Sequence, residues 1–282
     1  MRKKISVTVK LLEAAVVVVL FSIFVHLVTS ASVCLRDMIV ALAIVLITVV
    51  LACRPLVRDW DSGRRLLAVL SALAGGFWVF SFLRYIGFVR WPLGHPPDLT
   101  GYLYLLYFHF VLSITVLAPV LMVWNEAKPV TTVSWGNWRK TGFASLGMPV
   151  LLLSSVGFWL FAFYEVLAVK ISVSGPLTAF ISICLLKAFL TGATEEICYR
   201  GIIQPLAIAH FGVPLGITLQ SCLFTAFHMH LGEAFFPKAG FLVSVMALGL
   251  IFGLVTRLTS GIGWASVIHV AINVVIEWQN LS

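Results

Sequence analysis

Two adjacent carboxylates, Glu195 and Glu196, close an apolar run in the stretch TGATEEICYRG (Thr191–Gly201), and Arg200 follows four residues after the second. Further along, LFTAFHMH places His228 four residues after Phe224, and WASVIHVAINVV places His269 four residues before Asn273. These side chains differ usefully in what they do to a proton. A carboxylate can take one from water, an imidazole can hold or relay it, and an imidazole or amide N–H can donate to an oxyanion. Together they form an inventory for attack of activated water on a carbonyl group.

Helical spacing sharpens the expectation. On an α-helix Glu196 and Arg200 share a face and can pair, whereas Glu195 points about 100° away, on the side of Tyr199. The pattern predicts one carboxylate neutralised by arginine and one left for chemistry. His269 and Asn273 share a face of an otherwise apolar helix. Each cluster also has a plain structural use: Glu196–Arg200 as a helix-end ion pair, His228 and Asn273 as interhelical hydrogen bonds. Three such clusters in one half of a chain make a shared site the stronger reading.

The elements that must carry them are membrane helices. Hydrophobic residues make up 61% of the 282, charged residues 11%, and the mean hydropathy is +1.06. That is too little charge to cover a water-soluble domain of this size. Apolar windows near the ~20 residues a helix needs to cross hydrocarbon recur along the chain. The expected fold is all-α, a polytopic helical transmembrane bundle with eight or nine spans. They lie near Leu11–Ala31, Met38–Leu56, Leu66–Phe88, Tyr102–Trp124, Phe143–Val169, Leu177–Cys198, Val213–His228, Phe241–Val255 and Gly263–Glu277. The basic start MRKKISVTVK leads into a long apolar run that contains Glu13 and lacks a clear cleavage site, so a retained first span is expected.

The net charge of +8 is mostly loop charge. Arg2, Lys3, Lys4 and Lys10 flank the first span, Arg54, Arg58, Arg64 and Arg65 follow the second, and Lys128, Arg139 and Lys140 follow the fourth. This alternation is what the positive-inside rule associates with cytoplasmic loops. The expectation is an integral, multi-pass protein of the plasma membrane, in contact with the lipid bilayer, with a cytoplasmic N-terminus. The basic residues punctuate hydrophobic helices and form no patch, so nucleic acid is not an expected partner. The five cysteines show no CxxC spacing, and neither disulfides nor a cysteine metal site is expected.

Residues 1–142 carry few ionisable groups inside spans beyond Glu13, His26, Arg84 and His109. They read as N-terminal transmembrane helices without an assigned role, and residues 143–282 as the part that holds the chemistry. In Phe241–Val255, Gly240, Gly249 and Gly253 have spacing suited to close helix packing.

The three patterns Glu195-Glu196-x-x-x-Arg200, Phe224-x-x-x-His228 and His269-x-x-x-Asn273 resemble the motifs of the CAAX protease and bacteriocin-processing (CPBP, or Abi) family of intramembrane endopeptidases. The resemblance runs over about Leu177–Glu277. It implies hydrolysis of a peptide bond in a membrane-presented substrate: a CAAX-type prenylated C-terminus, a bacteriocin leader or another membrane-anchored protein. Carried over, Glu195 would be the general base and His228 would help hold the attacking water. His269 and Asn273 would donate to the oxyanion, while Glu196 and Arg200 would order the glutamate helix. The resemblance leaves open which of the two glutamates is the base. No cofactor and no metal is implied by this glutamate mechanism; zinc on Glu195, His228 and His269 is the minority alternative, without an HExxH pair to favour it. The competing reading is a non-catalytic transporter or scaffold that uses the same residues as a buried polar network.

One geometric demand follows. Strictly alternating spans would put Glu195 and His228 at opposite ends of consecutive helices. The piece GIIQPLAIAHFG (Gly201–Gly212) can resolve this if it forms a short re-entrant or interfacial helix between them.

Overall fold

A computed structural model describes residues 7–29, 35–53, 61–88, 99–127, 177–228 and 238–279. The described residues are helical, with no strand among them. In chain order they form α1 (Val7–Thr29), α2 (Leu35–Cys53), α3 (Asp61–Tyr85), α4 (Leu99–Ala127), α5 (Leu177–Glu195), a π-helix (Glu196–Ile203), α6 (Gln204–Phe211), α7 (Val213–Phe227), α8 (Lys238–Thr259) and α9 (Gly263–Gln279). Eight of the expected spans coincide with one of these helices to within a few residues. The expected span at Phe143–Val169 lies outside the described residues.

Three helical stretches among the described residues are long and apolar enough to cross a membrane: Val7–Leu27, Ser62–Tyr85 and Ala239–Thr259. Shorter apolar helices run over Leu106–Val120, Val213–Phe227 and Gly263–Ile276. The outer surface is apolar too. Leu12, Val16, Val19 and Ile23 of α1, with Ile39, Leu46 and Ile47 of α2, are exposed. Water would penalise a surface of this kind, whereas lipid tails match it. These features make the chain an integral membrane protein.

The helices divide into two units that interleave along the chain. The first comprises Met1–Phe88, Thr115–Thr132 and Cys198–Leu254, and the second Val89–Ile114, Val133–Ile197 and Val255–Ser282. In the first, α3 packs on α2, α1 on α2, α3 and α7, and α6 on both α3 and α7. Buried amides tie α6 and α7 to α8. Gln204 Nε2 donates to the carbonyl of Gly253 at 2.9 Å, and Gln220 Nε2 donates to the carbonyl of Gly249 at 3.0 Å. A Cβ on Gly253 would sit 2.9 Å from Ile217 Cγ2, and one on Gly249 would sit 3.1 Å from Ser221 Cβ. Close packing therefore holds at these two glycines. At Gly240 nothing lies within 4 Å of a built Cβ, so the stripe of small residues begins one step later than its spacing suggests.

The piece between the glutamates and α7 is helical, the π-helix passing directly into the short α6. Its start is wide. Pro205 at the beginning of α6 has no N–H for a carbonyl one turn back, which disfavours a regular α ladder immediately upstream. The chain there forms a π-helix, with hydrogen bonds to the fifth residue in place of the fourth. Its end is set by Gly212, at φ 89°, a conformation that side chains with a Cβ rarely adopt. The Gly212 N–H still closes onto Ile208 O at 2.8 Å, and α7 then doubles back on α6. At the crossing, a Cβ on Gly216 would fall 2.6 Å from the Ile208 nitrogen, so only glycine permits this approach.

In the second unit α5 packs along α9. Gly192 marks their closest approach: its built Cβ would lie 3.2 Å from Val270 Cγ2 and 3.5 Å from Asn273 Nδ2.

Candidate active site

Glu195 ends α5 and Glu196 opens the π-helix, so the regular α geometry expected across Glu195–Arg200 is replaced by a wider turn. Hydrogen bonding to the fifth residue rotates successive side chains by a smaller step, and the simple division of faces into one for Glu195 and one for Glu196 no longer holds. What meets the two carboxylates is one ring. His269 Nδ1 lies 2.8 Å from Glu196 Oε1, and His269 Nε2 lies 3.4 Å from Glu195 Oε2. Glu196 is 0% exposed, and Glu195 and His269 are buried as well. The crossing of α9 over α5 at Gly192 brings His269 to this position and puts Asn273, one turn on, beside the same helix.

A ring with a carboxylate at each nitrogen has a restricted set of proton positions. A neutral imidazole has one N–H and donates to one carboxylate only; an imidazolium donates to both. Which nitrogen carries the proton is set by the partners: the shorter contact assigns a donating Nδ1–H to Glu196.

Thr191, one turn before Glu195 on α5, adds a contact from the N-terminal half. Its Oγ1 lies 3.2 Å from Nδ1 of His109 on α4. His109 was legible as an intramembrane histidine, but nothing in its spacing tied it to the glutamate helix.

In the first unit, Arg200 and His228 gather around Phe224. The guanidinium carbon of Arg200 sits 4.1 Å from the centroid of the Phe224 ring and 5.3 Å from that of Phe252. These aromatic faces offset part of the cost of burying the charge. His228 caps α7, and its Nδ1 is 2.8 Å from the carbonyl oxygen of Phe224. A carbonyl only accepts, so Nδ1 carries the proton and Nε2 is the basic nitrogen of the ring. The ring of His228 also leans on Phe224, with centroids 4.5 Å apart. Phe224 thus serves Arg200 with its face and His228 with its backbone, a physical reason for a phenylalanine four residues before the histidine.

The expected site residues therefore fall into two sets. Glu195, Glu196, His269 and Asn273 belong to the second unit, with the first three in mutual contact; Arg200 and His228 belong to the first, linked through Phe224. Sequence reasoning missed Gly192, Thr191 and Phe252. Glycine and threonine carry no signal in an apolar run, and Phe252 is one of 21 phenylalanines. Among the described residues, no group of three or more His, Cys, Asp or Glu side chains is arranged to hold a metal ion.

No curated protein and no solved structure matches the chain. A family model does: residues 175–275 match the one described as "Rce1-like: Type II CAAX prenyl endopeptidase Rce1-like". This stretch holds all three motifs, from Glu195 to Asn273. Residues 175–275 are a domain of the Rce1-like, type II CAAX prenyl endopeptidase family, in agreement with the CPBP resemblance carried by the motifs.

Proposed function

We propose that the protein is an intramembrane endopeptidase that cleaves the C-terminal segment of a prenylated, membrane-anchored peptide by glutamate-activated water. The observation that carries this reading is the pairing of both glutamates with one buried histidine, inside the stretch that matches the CAAX endopeptidase family.

In the proposed reaction Glu195 removes a proton from the attacking water, and the family resemblance gives His228 the part of helping to hold that water. The water oxygen attacks the scissile carbonyl carbon, the C–O bond forms, and the carbonyl π electrons move to oxygen. His269 and Asn273 donate to that oxyanion. Collapse of the tetrahedral intermediate breaks the C–N bond, and the proton held on Glu195 passes to the leaving amine. Atoms and charge balance without a redox partner. For His269 to donate from Nε2 it must hold protons on both nitrogens, and Glu196, fully buried at 2.8 Å, is then its counter-ion. Glu196 acts through His269, orienting it as a carboxylate does for a catalytic histidine.

Reconstitution in liposomes with a fluorescent farnesylated peptide tests the reading. Cleavage by wild type, its loss in Glu195→Ala and His228→Ala, and its persistence with a chelator support it. Loss with chelator and recovery on adding zinc would favour a metal held by Glu195, His228 and His269. Equal cleavage by wild type and both variants would end the proposal.

A further inference from the structure

The N-terminal helices lie outside the stretch that matches the family, yet one of their few intramembrane acids is engaged with the segment that follows the glutamates. Lys10 and Glu13 stand three apart on α1, and both reach the last turn of α6. Lys10 Nζ donates to the carbonyl of His210 at 2.9 Å, and Glu13 Oε2 lies 3.4 Å from His210 Nε2. On another side, α3 approaches so closely that a Cβ on Gly63 would fall 2.9 Å from His210 Cε1. The Phe211 ring meets the imidazole edge to face at 4.5 Å.

Each contact has a physical reason at this place. The carbonyl of His210 is among the last four of α6, which have no partner within the helix, and a lysine at a helix C-terminus also matches the dipole. Glu13, in an otherwise apolar helix, gains an N–H donor. A single exposed hydrogen bond would contribute little, but this one is partly enclosed and is joined by a second from the same face of the same helix.

Its importance comes from what α6 is joined to. The π-helix that begins at Glu196 and contains Arg200 runs into α6 without a break, so His210 is the far end of the rod that carries the glutamate turn. A π-helix is rare and occurs mostly as a short stretch within α-helices, frequently at functional sites. We propose that Lys10, Glu13 and His210 are positioning residues: a clasp from the first helix that fixes the end of the π–α6 rod and thereby holds Arg200 and the glutamate turn in register. The catalytic part of this inference rests on the peptidase reading; the structural part does not.

The test uses the full chain in phosphatidylcholine nanodiscs and reads two quantities in the same samples. The first is hydrogen–deuterium exchange over residues 196–211; the second is kcat and KM on the farnesylated peptide. Glu13→Gln and Lys10→Met are each expected to speed exchange in that segment and lower kcat by about fivefold, with KM within about twofold of wild type. The exchanged pair Glu13→His with His210→Glu is expected to recover most of the loss, which a nonspecific packing defect would not. Wild-type exchange and wild-type kcat in both single variants overturn the proposal. So does a loss of activity that only tracks the amount of folded protein. If wild type cleaves nothing while exchange responds to the variants and recovers in the exchanged pair, the clasp stands and the peptidase reading falls.

Discussion

Glu196 has no exposure and faces Nδ1 of His269 at 2.8 Å, while Glu195 faces Nε2 of the same ring at 3.4 Å. The two glutamates should therefore differ in what their removal does. Glu195→Gln keeps the shape and loses the proposed base, and kcat is expected to fall ~10²–10⁴-fold, the usual contribution of general base catalysis. Glu196→Gln removes the carboxylate that faces Nδ1 of His269, with an expected loss of ~10–100-fold. Steady-state kinetics on the farnesylated peptide separate these, and equal losses would contradict the division of roles. At Phe224, substitution by leucine keeps the backbone carbonyl that holds His228 but removes the ring under Arg200. A stability loss of ~0.5–2 kcal/mol is expected for the missing cation–π contact, with tyrosine restoring most of it; chemical denaturation measures both. Spacing assigned Arg200 a carboxylate four residues back. Its aromatic seat was illegible, since an apolar chain offers phenylalanine almost everywhere.

Among the helices, legibility followed hydrophobic length. The apolar runs around Val18, Val45, Leu73 and Ile251 declared their helices directly, because only helical backbone satisfies its own hydrogen bonds in lipid. The π-helix had no such signal; it results from local competition between Pro205 and the ladder before it. The break at Gly212 was foreseen from the need for a short piece between the glutamates and α7, but its connection to α1 was not, since nothing in Glu13 names its partner 197 positions away. That contact carries a pH dependence. Burial pushes His210 below the ordinary imidazole range, against the upward pull of Glu13 and with Lys10 adding to the fall. The unfolded chain then binds more protons than the folded one between the two values, so stability declines as pH drops through the ordinary histidine range. Melting between pH 7.5 and 5.5 should show a decline in wild type that is smaller in His210→Asn, and parallel curves would contradict it.

For the molecule as a whole, the family match and the compact units do not coincide. Residues 175–275 are shared between two units, one of which also draws on α1, α2 and α3. Within that unit α1 packs on α7, and α3 on α6, so the matched stretch lacks part of its own core when taken alone. A chain limited to residues 175–282 is expected to fail to fold in nanodiscs, seen as loss of cooperative melting, and co-expression with residues 1–142 is expected to restore it at least in part. A stable fragment would show that the N-terminal helices are dispensable. The composition made the membrane class plain and the motifs carried the family resemblance, but neither records which distant helices share a core.

The greasy outward face of α1 and α2 has a kinetic consequence of its own. On the proposed peptidase reading, a protein whose solvent is lipid meets a prenyl-anchored substrate by lateral diffusion in two dimensions, with both partners already dissolved in the same sheet. Its turnover should scale with the number of substrate molecules per lipid, so that adding empty vesicle lipid to a fixed mixture that can exchange components slows the reaction without changing any bulk concentration of peptide.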